Sequence, residues 1–380
     1  MVPRMFSLYI HVPFCRRKCP YCDFYSVPAE AAALADYPAL LCRHLELTDK
    51  EDWSGPVETI FFGGGTPSLL PPAAIAAVLT RTASLFGLSA DAEITLEANP
   101  GTVTPATLAG YRTAGVNRIS LGIQSLQSEQ LQRLGRIHSS QDARQAVAWA
   151  RQAGFDNLSC DLMFALPGQS AAALQQEIGA FLDLDPDHLS CYGLSLEETT
   201  PFYHLHRAGG LALPDDELYR QHYLELHETL QGAGFDHYEI ANFARPERQC
   251  RHNLTYWRRR GYLGIGAGAH SFHQRNWGRR LAVPSDLPAY ATALDRGSDP
   301  SQEIESFDRL GAMSETLYLG LRTAEGVAEE SFRDRFGLGV AAAFPAALRQ
   351  AGPRLALREG SWRLDLQGWL LFDHLISPFL

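Results

Sequence analysis

The feature that most constrains this chain is an alternation of short apolar runs with longer Ala-rich segments. Apolar, β-branched runs fall at residues 7–12, 57–62, 92–97, 117–124, 157–164 and 188–194. Segments with helical spacing lie between them at 73–85, 139–153 and 171–182. Strand, helix, strand at this spacing predicts βαβ units and a parallel sheet. Six such units predict an α/β protein built on an open, partial (β/α)6 TIM-like barrel rather than eight closed strands.

The rest of the chain has a different texture. Residues 276–300 are polar and glycine-bearing and read as a connector. Helical spacing returns at 307–321 and 331–336, and alternation over 355–366 about an Arg-Glu-Gly-Ser turn predicts a hairpin. Helices followed by a hairpin predict a small winged-helix-like α+β domain. The expected organisation is a barrel over 1–275, a connector over 276–300 and a C-terminal domain over 301–380. At 46% hydrophobic and 20% charged residues, such a chain can bury a full core. The apolar stretch 73–88 is broken by Arg81, too short for a membrane span, and the first residues lack a secretory pattern. These features predict a cytoplasmic protein.

Charge narrows the partners. A net charge of −10 argues against a groove for nucleic acid. Residues 245–280 nevertheless hold nine Arg and one acid, Glu247. Either the chain simply prefers Arg (its only lysines are Lys18 and Lys50) or this stretch is an anion-binding face.

Seven cysteines without a secretory signal argue against a disulfide framework. Cys160 and Cys191 lie in strand-like runs and read as buried, inert thiols. Cys15, Cys19 and Cys22, spaced x3 and x2, follow the first strand directly. Structural zinc takes four closed ligands. Three thiolates at unequal spacing suit a [4Fe–4S] cube with one iron left open. Structural zinc with His11 as fourth ligand is the plainer alternative. One βα unit later, Gly63-Gly64-Gly65-Thr66-Pro67 ends the second run, where glycines let backbone approach a ligand. Glu97, Gln124, Arg136 and Asp161 lie at or near strand ends. Singly, each reads as a cap or a surface charge. Together they form a polar rim on the face where barrels gather ligands.

Tyr9-Ile10-His11-Val12-Pro13-Phe14-Cys15 and Cys19-Pro20-Tyr21-Cys22-Asp23-Phe24 resemble the radical S-adenosylmethionine (SAM) signature of the oxygen-independent coproporphyrinogen oxidase family. The resemblance implies a [4Fe–4S] cluster on Cys15, Cys19 and Cys22. It also implies SAM on the open iron, cleaved by one electron to a deoxyadenosyl radical. SAM contacts are implied at Tyr9, Tyr21, Gly64, Gly65, Thr66, Glu97, Gln124, Arg136 and Asp161.

Two departures separate the chain from the oxidase. Phe24 stands where the oxidase has a further Cys, and only fourteen residues precede Cys15, leaving no substrate-covering arm. Both features resemble the HemW branch, regarded as haem chaperones. His252-Asn253-Leu254-Thr255-Tyr256-Trp257 resembles that branch's His-Asn-x-x-Tyr-Trp motif. The branch implies bound haem as cargo, His252 as candidate iron ligand and Cys250 as a second. Arg251, Arg258, Arg259 and Arg260 would pair the propionates. The plainer alternative makes His252 and Trp257 packing at the barrel's end. The expected function is therefore delivery of haem to acceptor haemoproteins, with a reductant for the cluster. Membrane-associated acceptors and a homodimer stay open. The rival is a catalytic radical SAM enzyme, a coproporphyrinogen III dehydrogenase or methyltransferase-like. Residues 264–269 are glycine-rich but lie too late, and without βαβ context, to be a dinucleotide loop. They are expected to pack tightly near the rim, with Ile265 towards SAM.

Overall fold

The computed structural model describes residues 5–380. Its main sheet grows from β1 (Phe6–Val12), whose neighbour is β2 (Val57–Gly64). β3 (Leu88–Ala98), β4 (Arg118–Gln124), β5 (Leu158–Phe164) and β6 (His188–Gly193) follow, each parallel to the last. The six apolar runs thus become six adjacent parallel strands. Helices Ala31–Leu47, Pro72–Phe86, Pro105–Ala114, Ser140–Gln152 and Ala171–Leu182 make the crossovers.

The helices start where local chemistry dictates. Thr104 caps the third with a capping box to Thr107, followed by Pro105 in the first turn, and Gly115 at φ 111° ends it. Ser139 and Asp142 form the same box on the next long helix. That helix buries Ala143, Ala146, Val147 and Ala150, an i, i+3, i+4, i+7 stripe.

β7 (Asp236–Glu239) and β8 (Asn242–Ala244) close one flank of the sheet, β8 antiparallel to β6 and β7 antiparallel to β8. On the other flank β9 (Tyr262–Ile265) runs parallel to β1, so the parallel run has a seventh member. β10 (His270–His273), β11 (Arg279–Ala282) and β12 (Gln302–Ser306) continue it antiparallel. The order is β12-β11-β10-β9-β1-β2-β3-β4-β5-β6-β8-β7, an open, partial barrel with two free edges.

Two expectations change here. The glycine-rich stretch 264–269 holds the end of a strand and its turn. A Cβ on Gly264 would lie 1.9 Å from the His270 carbonyl oxygen, so only glycine lets β9 and β10 approach. Ile265 pairs with Ile10 and is fully buried in the core, and it lines neither of the two cavities described below. Residues 276–300, read as a connector, supply β11 and the helix Leu287–Asp295, and the main sheet runs on to Ser306.

The C-terminal segment has helices Arg309–Gly320 and Glu329–Phe336, then a hairpin of Leu355–Arg358 with Ser361–Leu364. The short strand Val327–Ala328 adds to the hairpin, completing a winged-helix-like arrangement. It docks on the β7 flank: Ile240 N–H donates to the Arg322 carbonyl, and Ala324 N–H to that of Tyr238. The Arg322 guanidinium stacks over Trp257 at 4.8 Å and Phe372 at 5.1 Å.

Candidate functional site

A cavity of about 450 Å³ opens at the C-terminal ends of β1 to β6. Thirteen of the residues singled out from the sequence line it: Tyr9, Cys15, Cys19, Tyr21, Cys22, Gly64, Gly65, Thr66, Glu97, Gln124, Arg136, Asp161 and His252.

The three cysteines occupy the loop that leaves β1, pinned by short parallel pairing of Phe14–Cys15 with Val27–Pro28. Their thiols are partly exposed and free. The Arg136 guanidinium stands 3.6 Å from Cys19 Sγ, and the Thr66 hydroxyl 3.6 Å from Cys15 Sγ. Burial raises the Cys22 thiol's pKa, reinforced by Cys19 and Cys15. Among the described residues no three His, Cys, Asp or Glu side chains converge on a point that one ion could fill. His11, the fourth ligand of the zinc alternative, has both ring nitrogens engaged, Nδ1 with Tyr9 OH at 3.0 Å and Nε2 with the Tyr25 carbonyl at 3.1 Å. The donor set, three thiols on one cavity wall beside a cation, fits a multi-iron body better than a single ion.

The glycine loop forms a cradle. A Cβ on Gly65 would lie 2.7 Å from the Phe14 carbonyl oxygen and 2.9 Å from Val12 O, and one on Gly64 2.5 Å from the His11 ring. Gly64 also sits at φ 107°, which glycine adopts freely.

Beyond the cradle, charged groups stand in the cavity wall with their hydrogen bonding incomplete. Burial, with Asp161 adding, pushes the Glu97 pKa up to about 8. Burial likewise raises Asp161 to about 6, although the Ser120 hydroxyl donates to it at 3.2 Å. Nε of Arg118 and of Arg136 lacks a hydrogen-bond partner among the described residues. Gln124 is held at φ 70°, a region that costs a non-glycine residue energy, and accepts a hydrogen bond from Tyr192 OH at 3.1 Å. A cavity with orphaned guanidinium nitrogens and carboxyl groups that resist ionisation is complementary to a zwitterion, the character of a methionyl head group.

Arg118, Ser120, Ser190 and Tyr192 also line the cavity and were missed by the sequence reading. The signal was present. In Arg118-Ile119-Ser120-Leu121-Gly122-Ile123-Gln124 the polar or small residues alternate with Ile and Leu. A period of two sends one set into the barrel and the other towards the helices.

The motif near 250 is placed differently from expectation. His252 is fully buried, with Nδ1 2.7 Å from the Thr59 hydroxyl and Nε2 2.7 Å from Tyr256 OH. Burial lowers its pKa to about 3. Both nitrogens are thus spent within the fold, and neither is free for iron. Cys250 is also fully buried, its thiol pushed up to about 12. The arginine-rich stretch is largely neutralised by acids remote in sequence. Arg251 pairs with Asp91, Arg258 with Glu325 and Arg259 with Glu315. Arg275 and Arg279 both pair with Asp52, and Arg280 with Glu305 and Glu315.

Fold and site together define a radical SAM protein: the sequence matches the Radical SAM superfamily over residues 9–178 and the HemN C-terminal domain over residues 307–371. Among solved structures, coproporphyrinogen III oxidase (HemN) from Escherichia coli superposes with a TM-score of 0.84 at 21% identity. That match covers 99% of this chain and 90% of the other, which establishes the shared fold. The chain belongs to the HemW family. It is 33% identical to the heme chaperone HemW of Bacillus subtilis over 99% of both chains. To that of Escherichia coli it is 43% identical, over 80% of this chain and 79% of the relative. No helix among the described residues is long and apolar enough to cross a membrane.

Proposed function

We propose that this protein binds haem and delivers it to acceptor haemoproteins, carrying a [4Fe–4S] cluster on Cys15, Cys19 and Cys22 and SAM beside it. The observation that carries the reading is end-to-end similarity to proteins named as heme chaperones. Phe24, at the position that distinguishes this chain from the oxidase, agrees with it: 70% exposed, it leaves an apolar ring on the rim of the cavity.

When bound, the cluster supplies one-electron chemistry and an open coordination site. The chain's own residues supply the rest. The Arg136 guanidinium is placed to donate to Cys19 Sγ, and Thr66 has a hydroxyl to donate to Cys15. Cys22 must lose a proton against its burial, so loading is easier as pH rises. The glycine cradle exposes backbone to the ligand's amine, while Glu97 and Asp161 offer negative charge to its cationic groups. Arg118 and Arg136, each with an unpartnered Nε in the cavity wall, would pair its carboxylate. Tyr21, packed on Phe202 with ring centroids 6.3 Å apart, provides an aromatic face beside the cysteine loop.

The test has two arms on oxygen-free, reconstituted protein. Haem titration is expected to give one equivalent bound, and assay with coproporphyrinogen, SAM and a reductant to give no oxidised tetrapyrrole. Sustained turnover of coproporphyrinogen would replace the carrier with the enzyme.

A further inference from the structure

A second cavity, of about 540 Å³, lies behind the wall that Tyr9, Phe24 and Tyr256 share with the first. Its size is within the roughly 300–1,000 Å³ of small-molecule sites. The walls are mainly aromatic, with Tyr25, Trp257, Tyr262 and Phe272 around the shared Phe24. The remaining lining includes two histidines, His11 and His270, and three arginines, Arg259, Arg260 and Arg280.

The two histidines are not equivalent. His11 spends both nitrogens on Tyr9 and the Tyr25 carbonyl. His270 opens the strand β10, is exposed, and its ring makes no hydrogen bond to any described residue. Partial desolvation, with Arg280 adding, lowers its pKa, which keeps the imidazole in its neutral, metal-binding form. The arginines differ in the same way. Arg259 and Arg280 are tied to Glu315, whereas Arg260 is 53% exposed with only a 3.9 Å contact to Glu58. The glycine turn between β9 and β10 finds its purpose here. Gly268, at φ 84°, lets the turn lie against Tyr25, since a Cβ there would be 2.9 Å from that ring.

A flat apolar macrocycle with an open metal coordination site and acidic side arms matches these features one by one. We propose that the second cavity is the haem site, with His270 as the axial ligand and Arg260 pairing a propionate. This rests on the haem-carrying reading above, and it moves the iron contact from His252, buried in the helix Arg251–Trp257, to a histidine on strand β10.

Titration of the full chain with ferric haem, followed by absorbance and EPR, tests it. His270→Gly should lose the histidine-ligated spectrum and bind haem at least tenfold more weakly. Added imidazole should restore the spectrum, and iron content and SAM binding should stay at wild-type levels. Arg260→Gln, at an exposed position that the fold tolerates, should keep the spectrum, weaken binding severalfold and reduce its salt dependence. If wild-type protein binds haem and both variants match it in spectrum and affinity, the assignment of this cavity is wrong. If wild-type protein takes up no stoichiometric haem, the carrier reading itself fails, and the site with it.

Discussion

The two cavities share a wall but differ in how their charges are settled. In the first, Glu97 and Asp161 resist ionisation, and Arg118 and Arg136 each leave a buried nitrogen unpaired. In the second, Arg259 and Arg280 are already paired with Glu315, and the open groups are one imidazole, one guanidinium and several aromatic faces. Unsettled buried charge costs several kcal/mol unless a ligand completes it. On the functional reading proposed above, the first cavity suits a small, doubly charged ligand and the second a large, mostly apolar one. Both linings include Tyr9 and Tyr256, whose hydroxyls are bonded to His11 and His252.

The largest effect should break the first cavity and spare the second. Cys19→Ala removes one of three thiolates, and we expect reconstituted protein to retain essentially no cluster iron and no spectral response to SAM. Haem affinity should stay within about threefold of wild type, because no cysteine of the trio lines the second cavity. Parallel loss of haem binding would mean that the cavities act as one site.

The contrast also explains what the sequence disclosed. The first cavity is made of strand-end residues, and strand ends can be read from a period-two pattern and a following turn. Glu97, Gln124 and Asp161 were legible in that way, as was the parallel run of six strands, while Cys15 to Cys22 and the glycine loop were legible from their spacing and composition. The second cavity joins β1, the cysteine loop and β9 to β11, which meet only through tertiary pairing such as Ser7 with Tyr262. β9 was hidden because glycine weakens any strand pattern, yet Gly264 is what allows the chains to touch. The arginine stretch left two readings open for a related reason: acids that pair part of it, Asp52, Glu305 and Glu315, lie far away in sequence. His252 stood in a recognisable motif, but only the fold shows that Thr59 and Tyr256 occupy its nitrogens.

Within the first cavity, Glu97→Gln should weaken SAM binding by roughly tenfold to a hundredfold, the scale of a lost charge-assisted contact. Calorimetry with SAM would measure it, and an unchanged affinity would remove Glu97 from the site. The same carboxyl sets a pH dependence. Its folded pKa, about 8, lies above the ordinary value of 4.5. The folded ligand-free protein therefore holds a proton that the unfolded chain releases. This contribution to stability is complete below pH 4.5 and lost as pH rises through 8. SAM, being cationic, needs the ionised form, so its affinity should rise roughly fiftyfold from pH 6 to 8 and level off about one pH unit higher, with proton release below pH 8. Glu97→Gln should flatten that rise. A pH-independent wild-type affinity over the same window would contradict the assignment.

The smallest effects come from two glycines, one on each side of the wall. Gly65→Ala drives a Cβ into the backbone of Phe14 and Val12, which cannot swing aside. Gly268→Ala presses on the side chain of Tyr25 and strains a φ of 84°. Each should cost about 1–3 kcal/mol in denaturant unfolding, as overpacking and backbone strain do. Gly179, in the helix Ala171–Leu182 with open space around it, provides the reference: its change to Ala should stabilise by about 0.5–1 kcal/mol. The informative quantity is the cross-effect. Gly65→Ala should lower SAM affinity and leave haem binding near wild type, and Gly268→Ala should do the reverse, because Gly65 lines only the first cavity and Gly268 only the second. Equal losses of both ligands in both variants would show that the tyrosine wall transmits strain, and the two sites would then have to be treated as one coupled unit.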